Sequence, residues 1–518
     1  MGDPQWWARS SRVPLVAIVL LGAVLRLAGL ASASLWYDEG ASLYLGHYLA
    51  TPLALFDAAK NTEPPVNALV TGLWEGVVCA ISPTGPLDAA HDFLLRLLPC
   101  GFGILNIVLV HGVTRRLFGC ATTARCAAFL FAIAPFQIYY AQELRIYSLY
   151  VTLALVSVGC MAGAVSENRF RYWAGYVLSL SLLLYCHYIS IWLLFTLNMA
   201  FVLLLPCYRR HFWRWTAANA LVMLLIAPAL YRAFAMHASV QDLEVPWYPN
   251  PTWKTALITF KNFFAGYSPR AWVYWPLFVI ALGLWGFGLR WRGKAPDGIV
   301  LVACVTIVPV AGCAWVWGRA DFSFYEHRLF IFSGVAALIG VARGIVLLGR
   351  PGCAALAFMV LLTLPALADH YQGRLHPIAE HRLGVFDKVD YRDAVRALDA
   401  QWQPGDRLIY ANLFSAYPLF HYFDHDQMQI GWSPETEAYL IYSLGNGPLL
   451  REHKLLPVPK EEAIAGATRI WYLRTQGITF ESQPFSDRIQ AWLETVATPE
   501  TVQHFDGVTV QCFTTPKP

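Results

Sequence analysis

Apolar runs of bilayer length alternate with short polar turns along most of the chain. A spanning helix needs roughly 17–25 predominantly apolar residues. Such runs cover 14–33, 93–113, 122–140, 146–165, 172–187, 189–206, 216–233, 272–289, 298–317, 328–348 and 352–368, so about eleven crossings are expected. The polar segments between them are unequal. With the N-terminus cytoplasmic, the inner segments hold Arg9, Arg12, Arg115, Arg116, Arg125, Arg169, Arg171, Arg209, Arg210, Arg214, Arg290, Arg292, Lys294, Arg343 and Arg350. The outer segments are longer yet poorer in such residues. The positive-inside rule selects this orientation, and an odd number of crossings leaves the C-terminus outside.

One further run, residues 66–82, is apolar enough to cross. As a crossing it would put Arg115 and Arg116 outside, and Asp38 and Arg145 on opposite faces. It carries Asn67 and Glu75 and follows Pro64-Pro65. The pattern fits an interfacial or shallow helix within a long first outer loop, residues 34–92. The same loop holds an expected surface helix from Gly40 to Leu49, with Leu45, Tyr48 and Leu49 on one face.

After about residue 369 the pattern changes to turn signals, charge and ordinary amphipathic periodicity. Asp390 is placed to cap a helix with Tyr391, Val395, Leu398 and Trp402 on one face. Pro404-Gly405-Asp406 turns into a strand at 407–410, and 469–473 and 508–511 are further strands. The expected organisation is a membrane module over 1–370 and a small α/β domain over 386–518, outside the membrane. That domain shows no glycine-rich phosphate loop and no triad motif.

Composition narrows the class. Of 518 residues, 57% are hydrophobic and 14% charged, with mean hydropathy +0.45. Soluble domains carry roughly a quarter charged residues, so this is a polytopic α-helical membrane protein whose first partner is the lipid bilayer. The net charge of +4 is spread in topology-setting clusters, which argues against nucleic acid. The 11 cysteines lie mostly in or beside apolar runs and form no CxxC. They read as small buried apolar residues. The first run reads as a retained anchor and not as a cleaved signal.

Polar islands at the ends of apolar runs carry the candidate chemistry. Asp38 and Glu39 follow the first run. Adjacent residues on a helix diverge by about 100°, so one acid can act while the other supports the loop, or both can be inert boundary acids. Glu63 precedes two prolines that stiffen it into an extended backbone; it is either a positioned carboxylate or a plain helix-entry signal. Arg145, in Gln142-Glu143-Leu144-Arg145-Ile146-Tyr147, is either a bidentate phosphate ligand or a snorkelling anchor. His187-Tyr188 and Glu326-His327-Arg328 also stand at outer ends. Arg26, inside the first run, is assigned a structural role.

Taken together, these islands resemble the GT-C membrane glycosyltransferases of the protein O-mannosyltransferase and aminoarabinose-lipid A transferase type. Residues 26–39 (RLAGLASASLWYDE) are similar to that family's first span end and acidic loop. Glu63-Pro64-Pro65-Val66, Leu95-Arg96-Leu97-Leu98-Pro99 and Arg115-Arg116-Leu117-Phe118-Gly119 resemble three further elements. Residues 140–149 (YAQELRIYSL) match its Gln-Glu-Ala-Arg-Met-Tyr motif closely. Tyr185-Cys186-His187-Tyr188 and Asp390-Tyr391-Arg392 are weaker matches. Glu63 stands where many bacterial members have histidine.

The resemblance implies the GT-C fold and an inverting transfer of sugar from a polyprenyl-phosphate donor to a protein, lipid or glycan acceptor on the outer face of the plasma membrane. It puts the catalytic acid on Asp38, beside Glu39. The donor phosphate falls to Arg145, with Glu63, His187, Tyr188, His327 and Arg328 around it. No cofactor is required by this reading; Glu63 leaves room for a divalent metal ion. The alternatives are a lipid-linked saccharide flippase or a non-catalytic assembly subunit.

Overall fold

The computed structural model describes residues 14–48, 64–82, 84–241, 250–290, 296–320, 323, 325–378, 384–386, 388–410, 415–423, 428–430, 463–475 and 482–515. Glu63, Arg9, Arg12, Leu49, Arg292 and Lys294 lie outside the described residues. The chain divides into two compact units that interleave in sequence.

The first unit takes residues 1–29, 98–231 and 246–385 and is built of apolar helices. Each expected span coincides with a helix. Among the described residues, however, seven helices are long and apolar enough to cross a bilayer, or eight when one bent pair counts as a span. The first run yields only Leu15–Leu27, the fifth only the 17 residues of Phe170–Cys186, and the sixth only Tyr188–Leu203. The bent pair is the third run, Ala121–Ile133 and Pro135–Ala141, which meet at 61°. Proline biases its preceding residue away from the helical region, and Ala134 is extended at φ −66°, ψ 115°. Periodicity alone reads this stretch as one span because both halves are apolar. Elsewhere the bundle closes through small residues, as membrane helices do. A Cβ on Gly344 would collide with the Leu284 carbonyl oxygen, so helices Ala271–Gly288 and Ile331–Leu348 touch backbone to backbone.

The second unit takes residues 30–97, 232–245 and 386–518, so the first loop groups with the C-terminal region. Helices stand over both expected stretches, Tyr37–Tyr48 and Pro65–Ile81, but the first is not the surface helix expected, since residues 39–46 are all buried. They cross where neither has a side chain: a Cβ on Gly72 would meet the Gly46 carbonyl oxygen at 2.5 Å. Among the described residues, the C-terminal region carries a five-stranded sheet, ordered β2-β1-β3-β5-β4. Its strands are β1 (Asp406–Tyr410), β2 (Met428–Ile430), β3 (Arg469–Thr475), β4 (Thr498–Phe505) and β5 (Val508–Thr514). Strand β1 pairs in parallel with β2 and β3, whereas β5 pairs antiparallel with β3 and β4.

Ile409, Ile470, Tyr472, Ile489, Leu493 and Phe513 form a core between this sheet and helix Ser482–Val496. The three expected strands are there. Strand β4 was missed because it is an exposed edge containing Pro499 and Glu500, with no buried face to alternate. Asp390 caps helix Tyr391–Asp399 through the Asp393 N–H. The helix stops before Trp402, which packs on Phe423 at 5.1 Å between ring centroids.

Candidate active site

In the second unit, residues 34–36 belong to no helix or strand and lead into helix Tyr37–Tyr48. Asp38 and Glu39 fall in its first turn, where carboxylates suit the positive helix end. The two acids have different surroundings. Asp38 is half-buried, and its carbonyl accepts from the Ser42 hydroxyl. Glu39 is fully buried and held by Arg96 through Nε–Oε1 at 2.8 Å and Nη2–Oε2 at 2.7 Å. The remaining Arg96 N–H groups donate to the carbonyls of Leu30, Ala33 and Ser34. A guanidinium has five N–H donors, and all five are used on this turn. Both Glu39 oxygens are thus engaged by Arg96 in a buried site.

The turn is also held by the C-terminal region. Ser34 Oγ donates to Asp390 at 2.7 Å and accepts from the Arg392 backbone N–H at 3.1 Å. The Leu35 N–H donates to the Tyr422 hydroxyl at 2.8 Å, and that hydroxyl donates to Asp92 at 2.7 Å. Arg392 pairs with the same Asp92 oxygen at 2.7 Å. His421 stands 3.9 Å from the other oxygen and 5.6 Å, ring to ring, from His91. Burial holds the His421 imidazole down to about 3, with His91 and Arg96 adding to the effect and Glu39 opposing it. It is neutral at pH 7.

In the first unit, the Tyr-Ala-Gln-Glu-Leu-Arg-Ile-Tyr motif lies at the break between helices Pro135–Ala141 and Tyr147–Glu167. Gln142 is structural. Its Nε2 donates to the carbonyls of Arg26 and Ala28 at the end of the first helix, and its Oε1 pairs with His370 Nε2 at 2.8 Å. Arg26 is buried and bonded to the carbonyls of Gly22, Phe131 and Ala132, which is the structural role expected of it. Glu143 is buried and faces the Tyr139 hydroxyl.

Arg145, Arg328 and His187 form a second, cationic grouping. His187 lies in the break after helix Phe170–Cys186, and its Nδ1 accepts from the Ile189 N–H at 3.2 Å. That bond leaves the ring proton on Nε2. Arg145 and Arg328 both act on the ring electrostatically. Arg328 pairs with Glu326 and lies over the Tyr147 ring at 5.8 Å. The Tyr267 hydroxyl bonds Tyr140 at 2.5 Å, and Arg328, Glu326 and Glu143 all act on it electrostatically. Two guanidiniums and an imidazole N–H in one place suit a phosphate.

The profile of the dolichyl-phosphate-mannose-protein mannosyltransferase family matches residues 87–231. ArnT from Cupriavidus metallidurans in the apo state superposes with a TM-score of 0.58 at 13% identity, over 96% of this chain and 97% of that one. ArnT from the same organism bound to undecaprenyl phosphate gives 0.57 at 13% identity with the same coverage. The chain has the GT-C fold of the membrane glycosyltransferases. No curated protein matches it in sequence. Glycosyl transfer is the enzyme class that fold and family match share, and the GT-C chain is an integral membrane protein.

Among the expected site residues of this GT-C chain, Arg145 and Arg328 both act electrostatically on His187. Tyr188 follows in the short 3₁₀ turn Tyr188–Ser190 and is half-buried. His327 is buried, with its Nδ1 bonded to Thr259 at 2.8 Å and its ring 6.5 Å from that of Tyr267. Glu63 lies outside the described residues, and among the described residues no three His, Cys, Asp or Glu side chains gather as metal ligands. Sequence reasoning missed Arg96, Asp92, Arg392 and Tyr422. The Leu-Arg-Leu-Leu-Pro element did contain a signal, an arginine within an apolar stretch that needs a buried partner. Nothing near Asp92 or Tyr422 pointed to the other.

Proposed function

We propose that this protein transfers a sugar from a polyprenyl-phosphate-linked donor to a hydroxyl-bearing acceptor on the outer face of the plasma membrane, with inversion at the anomeric carbon. The observation that carries this is the placing of Arg145 and Arg328 about His187. As the glycosyl–oxygen bond breaks, negative charge grows on the departing phosphate. Fixed donors aimed at that charge cost no reorganisation, and losing one typically costs about 3–4 kcal/mol of barrier. The ArnT relative bound to undecaprenyl phosphate supports the lipid class.

Asp38 takes the role of general base for the acceptor hydroxyl, on the strength of the motif match, and Glu39 braces it. Base catalysis of this kind contributes roughly 10²–10⁴-fold. The arginine-rich segments support a cytoplasmic N-terminus and an extracytoplasmic C-terminal region. The test uses purified full-length protein with radiolabelled polyprenyl-phosphate sugars and membrane extract, comparing wild type, Asp38→Asn and Arg145→Ala. Label should reach a new acceptor with wild type only. Turnover by Asp38→Asn at the wild-type rate would remove Asp38 as base. Absence of transfer or donor hydrolysis with every donor would overturn the transferase reading.

A further inference from the structure

We infer that Tyr422 and Arg392, in the C-terminal region, are positioning residues for the acidic turn, which makes that region part of the catalytic machinery. This rests on the assignment of Asp38 as base.

The argument starts from the backbone of residues 30–36, which belongs to no helix interior or strand. Buried backbone groups must be paired, and without a ladder the partners have to come from side chains. Arg96 takes the carbonyls of Leu30, Ala33 and Ser34. Helix Tyr37–Tyr48 itself takes Trp36, whose N–H donates to Glu39 Oε2 at 3.3 Å and whose carbonyl accepts from the Gly40 N–H; three further groups are taken by the C-terminal region. Tyr422 accepts the Leu35 N–H, Arg392 Nη1 reaches the Ala31 carbonyl at 3.4 Å, and Asp390 accepts the Ser34 hydroxyl. Tyr422 and Arg392 are not independent. Both bond Oδ2 of the fully buried Asp92 at 2.7 Å, so one carboxylate fixes the two groups that fix the turn.

Packing reinforces the same placement. Helix Ala416–Tyr422 lies on helix Tyr37–Tyr48, and a Cβ on Gly40 would stand 2.8 Å from the Pro418 nitrogen. Tyr417 packs against Tyr37 at 5.4 Å and Tyr44 at 5.0 Å. Asp38 is thus bracketed, by Leu35 on one side in sequence and by Glu39 and Gly40 on the other. A base displaced by about 1 Å from its reacting hydroxyl can lose on the order of 10²-fold in rate. A brace of this kind acts on turnover and leaves the affinity for the lipid phosphate alone.

The experiment uses Tyr422→Phe in the full-length chain, which keeps the ring and removes one oxygen. We would measure kcat, donor KM, undecaprenyl phosphate binding, and hydrogen exchange of the amides of residues 35–39. The expected result is a kcat lower by about 10–10²-fold, KM and lipid binding within about twofold of wild type, and faster exchange confined to the turn. Wild-type kcat in a folded Tyr422→Phe protein would overturn the inference, as would unchanged exchange. Failure of the transferase reading has a separate signature: wild type itself transfers nothing. In that event exchange alone decides whether Tyr422 holds the turn. Should Tyr422→Phe not fold, Arg392→Gln is read in the same way.

Discussion

Glu39 and Arg96 form a buried, two-point ion pair, with Nε–Oε1 at 2.8 Å and Nη2–Oε2 at 2.7 Å. The pair gives the two adjacent acids of the turn different surroundings. Removing one partner of a buried pair leaves an uncompensated charge and costs about 3–5 kcal/mol. Arg96→Met should therefore lower the unfolding free energy by that amount, measured by thermal or denaturant unfolding in detergent. The double variant Arg96→Met, Glu39→Leu should recover much of the loss. A single variant as stable as wild type would contradict the geometry.

The same pair makes the effects of the two acids separable. Asp38→Asn should lose roughly 10²–10⁴-fold in transfer with its melting temperature unchanged. Glu39→Gln should lose melting temperature first. Measuring both quantities on both variants checks the division, which fails if the two variants behave alike.

Arg145 and Arg328 act on one neighbour, His187, so their substitutions should not be independent. Each Arg→Ala change should lower kcat by about 10²–10³-fold. The double variant should lose less than the product of the two, because residues sharing a partner couple. Strict additivity in a double-mutant cycle would show that they serve separate groups. His327→Ala should instead lower stability through its lost Thr259 bond.

His421 sets an acid limb of stability. Its imidazole is held down to about 3 by burial, whereas an unfolded histidine titrates near about 6.5. Between those values the unfolded chain binds a proton that the folded chain refuses, so stability falls as pH falls. The slope approaches about 1.4 kcal/mol per pH unit. His421→Leu should make the melting temperature between pH 6 and 4 less steep by about one proton. An unchanged slope would mean that the site takes up the proton without penalty.

Lys261, on helix Trp253–Ala265, is buried over the Tyr274 ring at 4.5 Å. Burial lowers its ammonium to about 8. The shift opposes folding fully below pH 8, and the penalty fades as pH rises towards the unfolded value of about 10.5. Lys261→Met should raise stability at pH 7, on the order of 3 kcal/mol at most, with the gain shrinking at pH 10. A destabilised variant at pH 7 would show that the ammonium makes contacts that outweigh its desolvation.

Much of the architecture was legible because its cause is local. Apolar runs of bilayer length become helices wherever they occur, and the sequence located each of them. The count was less secure: Pro135 breaks one run at Ala134, and a hydropathy pattern does not register a bend. In the C-terminal region, β1, β3 and β5 were visible as buried, β-branched or aromatic runs. Edge strand β4 buries nothing on either face and left no pattern.

The polar islands were legible as islands, and the motif around Arg145 as a candidate site. Their division of labour was not. Sequence spacing placed Asp38 and Glu39 side by side with nothing to choose between them. The choice was made by Arg96, 57 positions from Glu39. Tyr422 lies 330 positions from Asp92, and Arg392 lies 300. The sequence by itself determined a helical membrane protein with charged groups at its helix ends, because hydrophobic length and charge act through solvent alone. Only the tertiary structure decided which acid Arg96 engages, because a guanidinium has five N–H groups and chain packing chose where they point.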